Sequence, residues 1–100
     1  MNQLAQRSLL ADDPAERFFT FHRENPRVFK LFELYTMQAI NSGRKSYGAR
    51  AIFERVRWDV DIQTKGDPFK INNDLIPMYA RLFAEVHPEH ASFFEFRNRN

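Results

Sequence analysis

The chain contains no cysteine. That absence removes disulfide scaffolds, thiolate metal sites and thiol nucleophiles together, and it fits a reducing compartment. Glycine occurs three times in 100 residues, at Gly43, Gly48 and Gly66, too sparsely for a loop that cradles phosphates. No apolar run approaches membrane-spanning length, and the opening MNQLAQRSLL has neither the charged start nor the long apolar centre of an export signal. A cytoplasmic protein is expected. Charge of one sign is also scarce, with a net value of +2, so any basic surface has to come from local clustering.

What the chain has in excess is aromatic rings: eleven Phe, three Tyr and one Trp. A few large rings can fill a core that would otherwise need many aliphatic side chains, which lets a chain of this length form one domain. Residues 1 to 11 are polar, weakly patterned and expected to be loosely held. Asp13-Pro14 pairs an N-cap with a proline at the first helical position, and Glu16 follows in the first turn. A helix to about Arg23 is predicted. Its Phe18, Phe19 and Phe21 cannot share one face at 100° per residue, so one ring is left outside unless the helix is wedged.

Asn25-Pro26 repeats the same start signal. Val28, Phe29, Leu31, Phe32, Tyr35, Ala39 and Ile40 then recur at helical spacing up to Asn41, and Gly43 supplies a left-handed stop. This most apolar helix belongs at the centre of the core. Ser46 is read as the cap of a third helix whose stripe is Ala49, Ile52, Phe53, Val56 and Val60, with Arg50 and Glu54 as i, i+4 partners. From Trp58 the pattern Trp58, Val60, Ile62, Thr64 alternates against Asp59, Asp61 and Gln63, which is strand periodicity. Gly66-Asp67-Pro68 turns the chain, and Phe69 and Ile71 read as a return strand. A further helix starts no later than Pro77, with Tyr79, Leu82, Phe83 and Val86 buried and Arg81 off the stripe. His87-Pro88 closes it and opens a last short helix carrying Phe93, Phe94 and Phe96. The expected fold is mainly α with a small β-hairpin over residues 58 to 72, a winged-helix-like single domain.

The basic residues cluster. Between Arg44 and Arg57 the chain holds Arg44, Lys45, Arg50, Arg55 and Arg57 against Glu54 alone, a local +4 that leaves the remainder at −2. Together with Lys65, Lys70 and Arg81 these residues could make one face that contacts phosphates and releases condensed counterions. Asn72 and Asn73 carry amides suited to base edges or phosphate oxygens, and equally suited to capping the helix that follows. The interleaved acids Asp59, Asp61 and Asp67 oppose a long phosphate track, and a solvated helix face explains the same charges. Trp58 and Phe69 could stack on bases, although rings on a hairpin more often pack on the helices beneath.

Other chemistries find less support. His87 and His90 lie i, i+3 with Glu85 and Glu89 nearby, but convergent third and fourth ligands are wanting, and caps or surface positions account for them. Ser8, Ser42, Ser46 and Ser92 lie in no elbow or triad context. Asp59 and Asp61 would be same-face neighbours on a strand, as in a metal-dependent nuclease, a spacing common by chance. No catalytic residue, metal or cofactor is assigned.

At YGARAIFERVRWDV, FKINND and MYARLFAEVHPEHASFFEFR, over roughly residues 46 to 97, the chain resembles a family of small phage and prophage proteins, mostly uncharacterised. The resemblance implies a phage or integrated-element origin and action inside a bacterial host, with no catalytic residues to carry over. Two functions are therefore expected in competition. One is non-enzymatic binding of nucleic acid, DNA or RNA, by the basic helix and turn. The other is engagement of a host or phage protein through exposed aromatic residues, by a monomer or a homodimer.

Overall fold

The computed structural model describes residues 13–63 and 73–94. Among them the ordered elements are all helical: α1 (Pro14–Glu24), α2 (Pro26–Asn41), α3 (Ala49–Gln63) and α4 (Ile76–Val86), with 3-10 turns at Asn73–Leu75 and Pro88–His90. The expected β-hairpin and winged-helix arrangement are overturned, because Trp58 to Gln63 continues α3 without a break. Tertiary packing decides this: Val60 is buried in line with Ile52, Phe53 and Val56, a stripe that only helical spacing preserves. Asp59 adds to it, pairing with Arg55 one turn earlier at 3.7 Å and accepting the Tyr35 hydroxyl from α2. The proposed return strand at Phe69 and Ile71 lies outside the described residues, as do residues 1 to 11.

The helix ends show how local chemistry sets the frame. The Asp13 carboxylate accepts the Ala15 N–H at 3.1 Å, and Pro14 occupies the first helical position of α1. Asn25 does not cap the helix that it precedes. Its side-chain amide and its backbone N–H both donate backwards to the Phe21 carbonyl, at 3.0 and 2.8 Å, so it closes α1 while Pro26 starts α2. At the other end of α2, Arg44 N–H donates to Ala39 and Gly43 N–H to Ile40, at 3.2 and 3.0 Å, with Gly43 at φ +97°. That is a Schellman motif, which needs a left-handed residue at its turn. Ser46 is not a cap: it lies in the loop between α2 and α3, and the first α3 turn closes from Ile52 N–H to the Gly48 carbonyl.

The core is an aromatic cluster around Tyr79 of α4. Its ring centroid lies 4.8 Å from Phe18, 5.3 Å from Phe53, 6.0 Å from His22, 6.1 Å from Phe32 and 6.2 Å from Phe29. All four helices thus meet on one ring. Phe94 extends the cluster by packing 5.5 Å from Phe32 and 5.8 Å from Phe83. Of the three rings on α1, Phe18 is buried, Phe21 partly buried and Phe19 exposed. Val86 lies outside the core: the helix ends there, and the His87 ring covers Phe83 instead, at 4.7 Å. Beyond it the chain makes only a 3-10 turn before Phe93 and Phe94, not the expected terminal helix; Phe96 lies outside the described residues. Trp58, expected in the core, is 64% exposed.

The Tyr79 hydroxyl is buried without a protein hydrogen-bond partner, and burial pushes the phenol well above its ordinary value of 10.0. A phenol held neutral by the folded state leaves stability untouched below the unfolded value and erodes it above. Chemical denaturation should therefore show stability falling by about 1.4 kcal/mol per pH unit above pH 10 through this group, and Tyr79→Phe should abolish that fall. At neutral pH the same substitution should leave stability unchanged or raise it by up to about 1 kcal/mol, since no hydrogen bond is lost. Phe32→Ala, at a fully buried position touching Phe53, Tyr79 and Phe94, should cost about 3 to 5 kcal/mol in the same measurement.

Candidate functional site

The basic cluster is split by the geometry of α3. At 100° per residue, Arg50 and Arg57 lie within about 20° of each other around the helix axis, whereas Arg55 is about 140° away from Arg50. Arg57 faces the Asn73–Leu75 turn and is held there. Its guanidinium donates to Asn73 Oδ1 at 2.5 Å and to Glu54 Oε2 at 2.9 Å, and stacks 5.7 Å from the Phe53 ring centroid. Arg57 and Asn73 therefore tie α3 to the turn before α4. Glu54 takes Arg57 rather than Arg50, which leaves Arg50 exposed and without an ion pair among the described residues. Arg81 is likewise exposed on α4. Lys65, Lys70 and Asn72 lie outside the described residues.

On the other side of α3 the chain builds an open groove of about 380 Å³ between the end of α2, the loop after it and the start of α3. Arg44 and Arg55 both line it, with Tyr35 and Tyr47. Each arginine rests on a tyrosine: Arg44 lies 5.3 Å from the Tyr47 ring centroid and Arg55 4.9 Å from that of Tyr35. Stacking of this kind holds a guanidinium in place while leaving its N–H edge available. The Schellman turn at Gly43 is what brings Arg44 here, since its own backbone N–H makes the last bond of the motif. Asp59 orders the opposite wall by engaging Tyr35 and, loosely, Arg55.

Ile52, Ala39 and Ala51 supply apolar surface, and Gln38 and Ser42 supply polar groups. The Ser42 hydroxyl donates to the Ala39 carbonyl at 2.8 Å. Among the described residues no acidic side chain lines the groove, and Asp59 stands behind Arg55 at 3.7 Å. Lys45 is exposed in the same loop. Of the predicted contact residues that are described, Arg44 alone lines the groove, with Lys45 next to it in the loop; Arg55 belonged to the predicted basic cluster without being a named phosphate contact. Tyr35 and Tyr47 had no local signal beyond being aromatic, because a groove between two helices depends on contacts 12 or more residues apart.

The histidines near the C-terminal end of α4 are structural. His87 Nε2 lies 2.6 Å from Glu33 Oε2 of α2, docking the end of α4 on the central helix. Glu89 is exposed, and its carboxyl is held below the ordinary value chiefly by a hydrogen bond to its own backbone, then by the charges of His90 and His87. Among the described residues no three His, Asp or Glu side chains converge as metal ligands. No helix among them is long and apolar enough to cross a membrane.

Comparison with protein-family models, curated proteins and solved structures gives no match.

Arg57→Ala removes the hydrogen bonds to Glu54 and Asn73 and a stacked guanidinium from a side chain that is 22% exposed. Its unfolding free energy should drop by about 1 to 3 kcal/mol in urea titration. Arg50→Ala, with no partner to lose, should fall within about 0.5 kcal/mol of the parent.

Proposed function

We propose that the protein is a non-enzymatic nucleic-acid-binding module that takes single strands in the groove between α2 and α3. The observation that supports this most directly is the pairing of Arg44 with Tyr47 and of Arg55 with Tyr35 around one groove without acidic lining. Single-strand binders combine cationic tracks for the backbone with rings on which bases stack, a combination that tolerates sequence variation. Trp58, exposed one turn beyond Arg55 on α3, extends the ring surface, and Lys45 adds charge next to Arg44. A duplex is disfavoured because the expected wing is absent and because Arg50 and Arg57 turn away from Arg55. The resemblance to phage and prophage proteins fits such a role inside a bacterial host.

A second reading rests on a different observation. Phe19, Leu34 and Trp58 are 58%, 49% and 64% exposed on three different helices, and exposed apolar side chains, the two rings above all, can anchor a host or phage protein. A partner captured by the protein after nuclease treatment, and lost on Trp58→Ala but not on Arg44→Ala, would favour this reading.

Fluorescence anisotropy with labelled single-stranded and duplex oligonucleotides at low salt tests the first reading. Single strands should bind at or below about 100 µM and more tightly than duplex. Arg44→Ala and Arg55→Ala should each weaken binding and reduce the slope of log K against log salt by about 0.7. No binding of any oligonucleotide at that concentration would sink the proposal.

A further inference from the structure

We infer that the α2–α3 groove is a single-nucleotide subsite, taking one nucleoside monophosphate unit with its phosphate at Arg44 and Arg55 and its base over Ile52. This rests on the nucleic-acid reading above and narrows it to a ligand of definite size and chemistry.

Three properties of the groove carry it. The volume of about 380 Å³ falls at the small end of ligand pockets, suited to one nucleotide and too small for a base pair. The charged side chains lining it are the arginines Arg44 and Arg55, with Asp59 behind Arg55 at 3.7 Å; their fork geometry suits a phosphate and their planes are steadied by Tyr47 and Tyr35. Ala39, Ala51 and the largely buried Ile52 give the rest of the wall an apolar part beside the polar Gln38 and Ser42. A bare phosphate would leave that apolar surface uncovered. A nucleoside without phosphate would leave both guanidinium groups without an anion. Only a ligand that joins a flat, weakly polar ring to an anionic group satisfies both halves.

Gln38 adds selectivity. It is exposed on α2 and lines the groove, and its amide offers one acceptor and two donors to a base edge. Ser42 spends its proton on the Ala39 carbonyl, so its oxygen is left to accept. Beside its two guanidinium groups the groove therefore offers both kinds of hydrogen-bonding group.

The test is competition by small molecules for a bound, labelled single-stranded oligonucleotide, with direct titration followed by NMR shifts of the Ala39 and Ala51 methyl groups. Adenosine and uridine 5′-monophosphates should compete and shift both methyls. Adenosine alone and inorganic phosphate alone should each compete at least about tenfold more weakly, the effect of losing one good set of charge-assisted bonds or one stacked ring. Arg44→Ala and Arg55→Ala should weaken the mononucleotide about tenfold, and Gln38→Ala should level the differences among the four bases while leaving the response to inorganic phosphate unchanged. Circular dichroism confirms that each variant is folded. If the oligonucleotide binds but mononucleotides neither compete nor shift the methyls, the subsite is wrong while the nucleic-acid reading stands. If neither binds, both fail. Competition by phosphotyrosine stronger than by any mononucleotide would overturn the assignment in favour of a phosphopeptide.

Discussion

The Tyr79 ring is the point on which the rest of the chain depends. It comes from α4, the last long helix, yet it touches Phe18 and His22 from α1, Phe29 and Phe32 from α2 and Phe53 from α3. A ring with that many aromatic neighbours gains from offset and edge contacts as well as from burial, and its contacts hold three other helices at a fixed depth. Its hydroxyl has no protein partner, a cost of the order of 1 to 3 kcal/mol that the surrounding ring contacts must offset. The molecule accepts one poorly served polar group so that four helices can share one centre.

That centre explains why α3 runs on through a stretch whose composition alternates. A strand from Trp58 would have pulled Val60 off the line of Ile52, Phe53 and Val56 and opened the core beneath it. Holding the helix straight also sends Trp58 outward and brings Asp59 to Tyr35 and Arg55. The wall of the groove is thus a by-product of burying Val60. Its other wall follows from a backbone event, the left-handed turn at Gly43 that ends α2 and commits Arg44 to the groove.

Charge is sorted by the same geometry. The arginines that are close in sequence divide around α3, so that one set strengthens the fold and the other faces solvent. Arg57 bridges Glu54 and Asn73, and Arg17 of α1 reaches Asp74 at 2.8 Å; both fasten the turn that leads into α4. Arg44 and Arg55 have no comparable structural duty, since Arg44 meets only a ring and Arg55 meets its acid at 3.7 Å. Exposed arginines at such sites add little to stability.

Helix existence was legible from the residues alone wherever local chemistry is decisive. Asp13-Pro14, the apolar stripe from Val28 to Ile40, the stop at Gly43 and the latest start at Pro77 all depend on interactions within a few residues, and all match the folded chain. The misreadings fall where distant contacts outweigh local pattern. Two-residue alternation after Trp58 lost to a stripe shared with residues up to eight positions earlier. Asn25 and Ser46 are good caps by type, but one turned back to Phe21 and the other was needed to span the loop. The local +4 charge was a true property of the sequence, yet which of its arginines bind the fold and which face a groove was decided only by the packing of α2 and α4 on either side of α3, because a helix distributes consecutive side chains around its axis and only its neighbours determine which of them stay exposed.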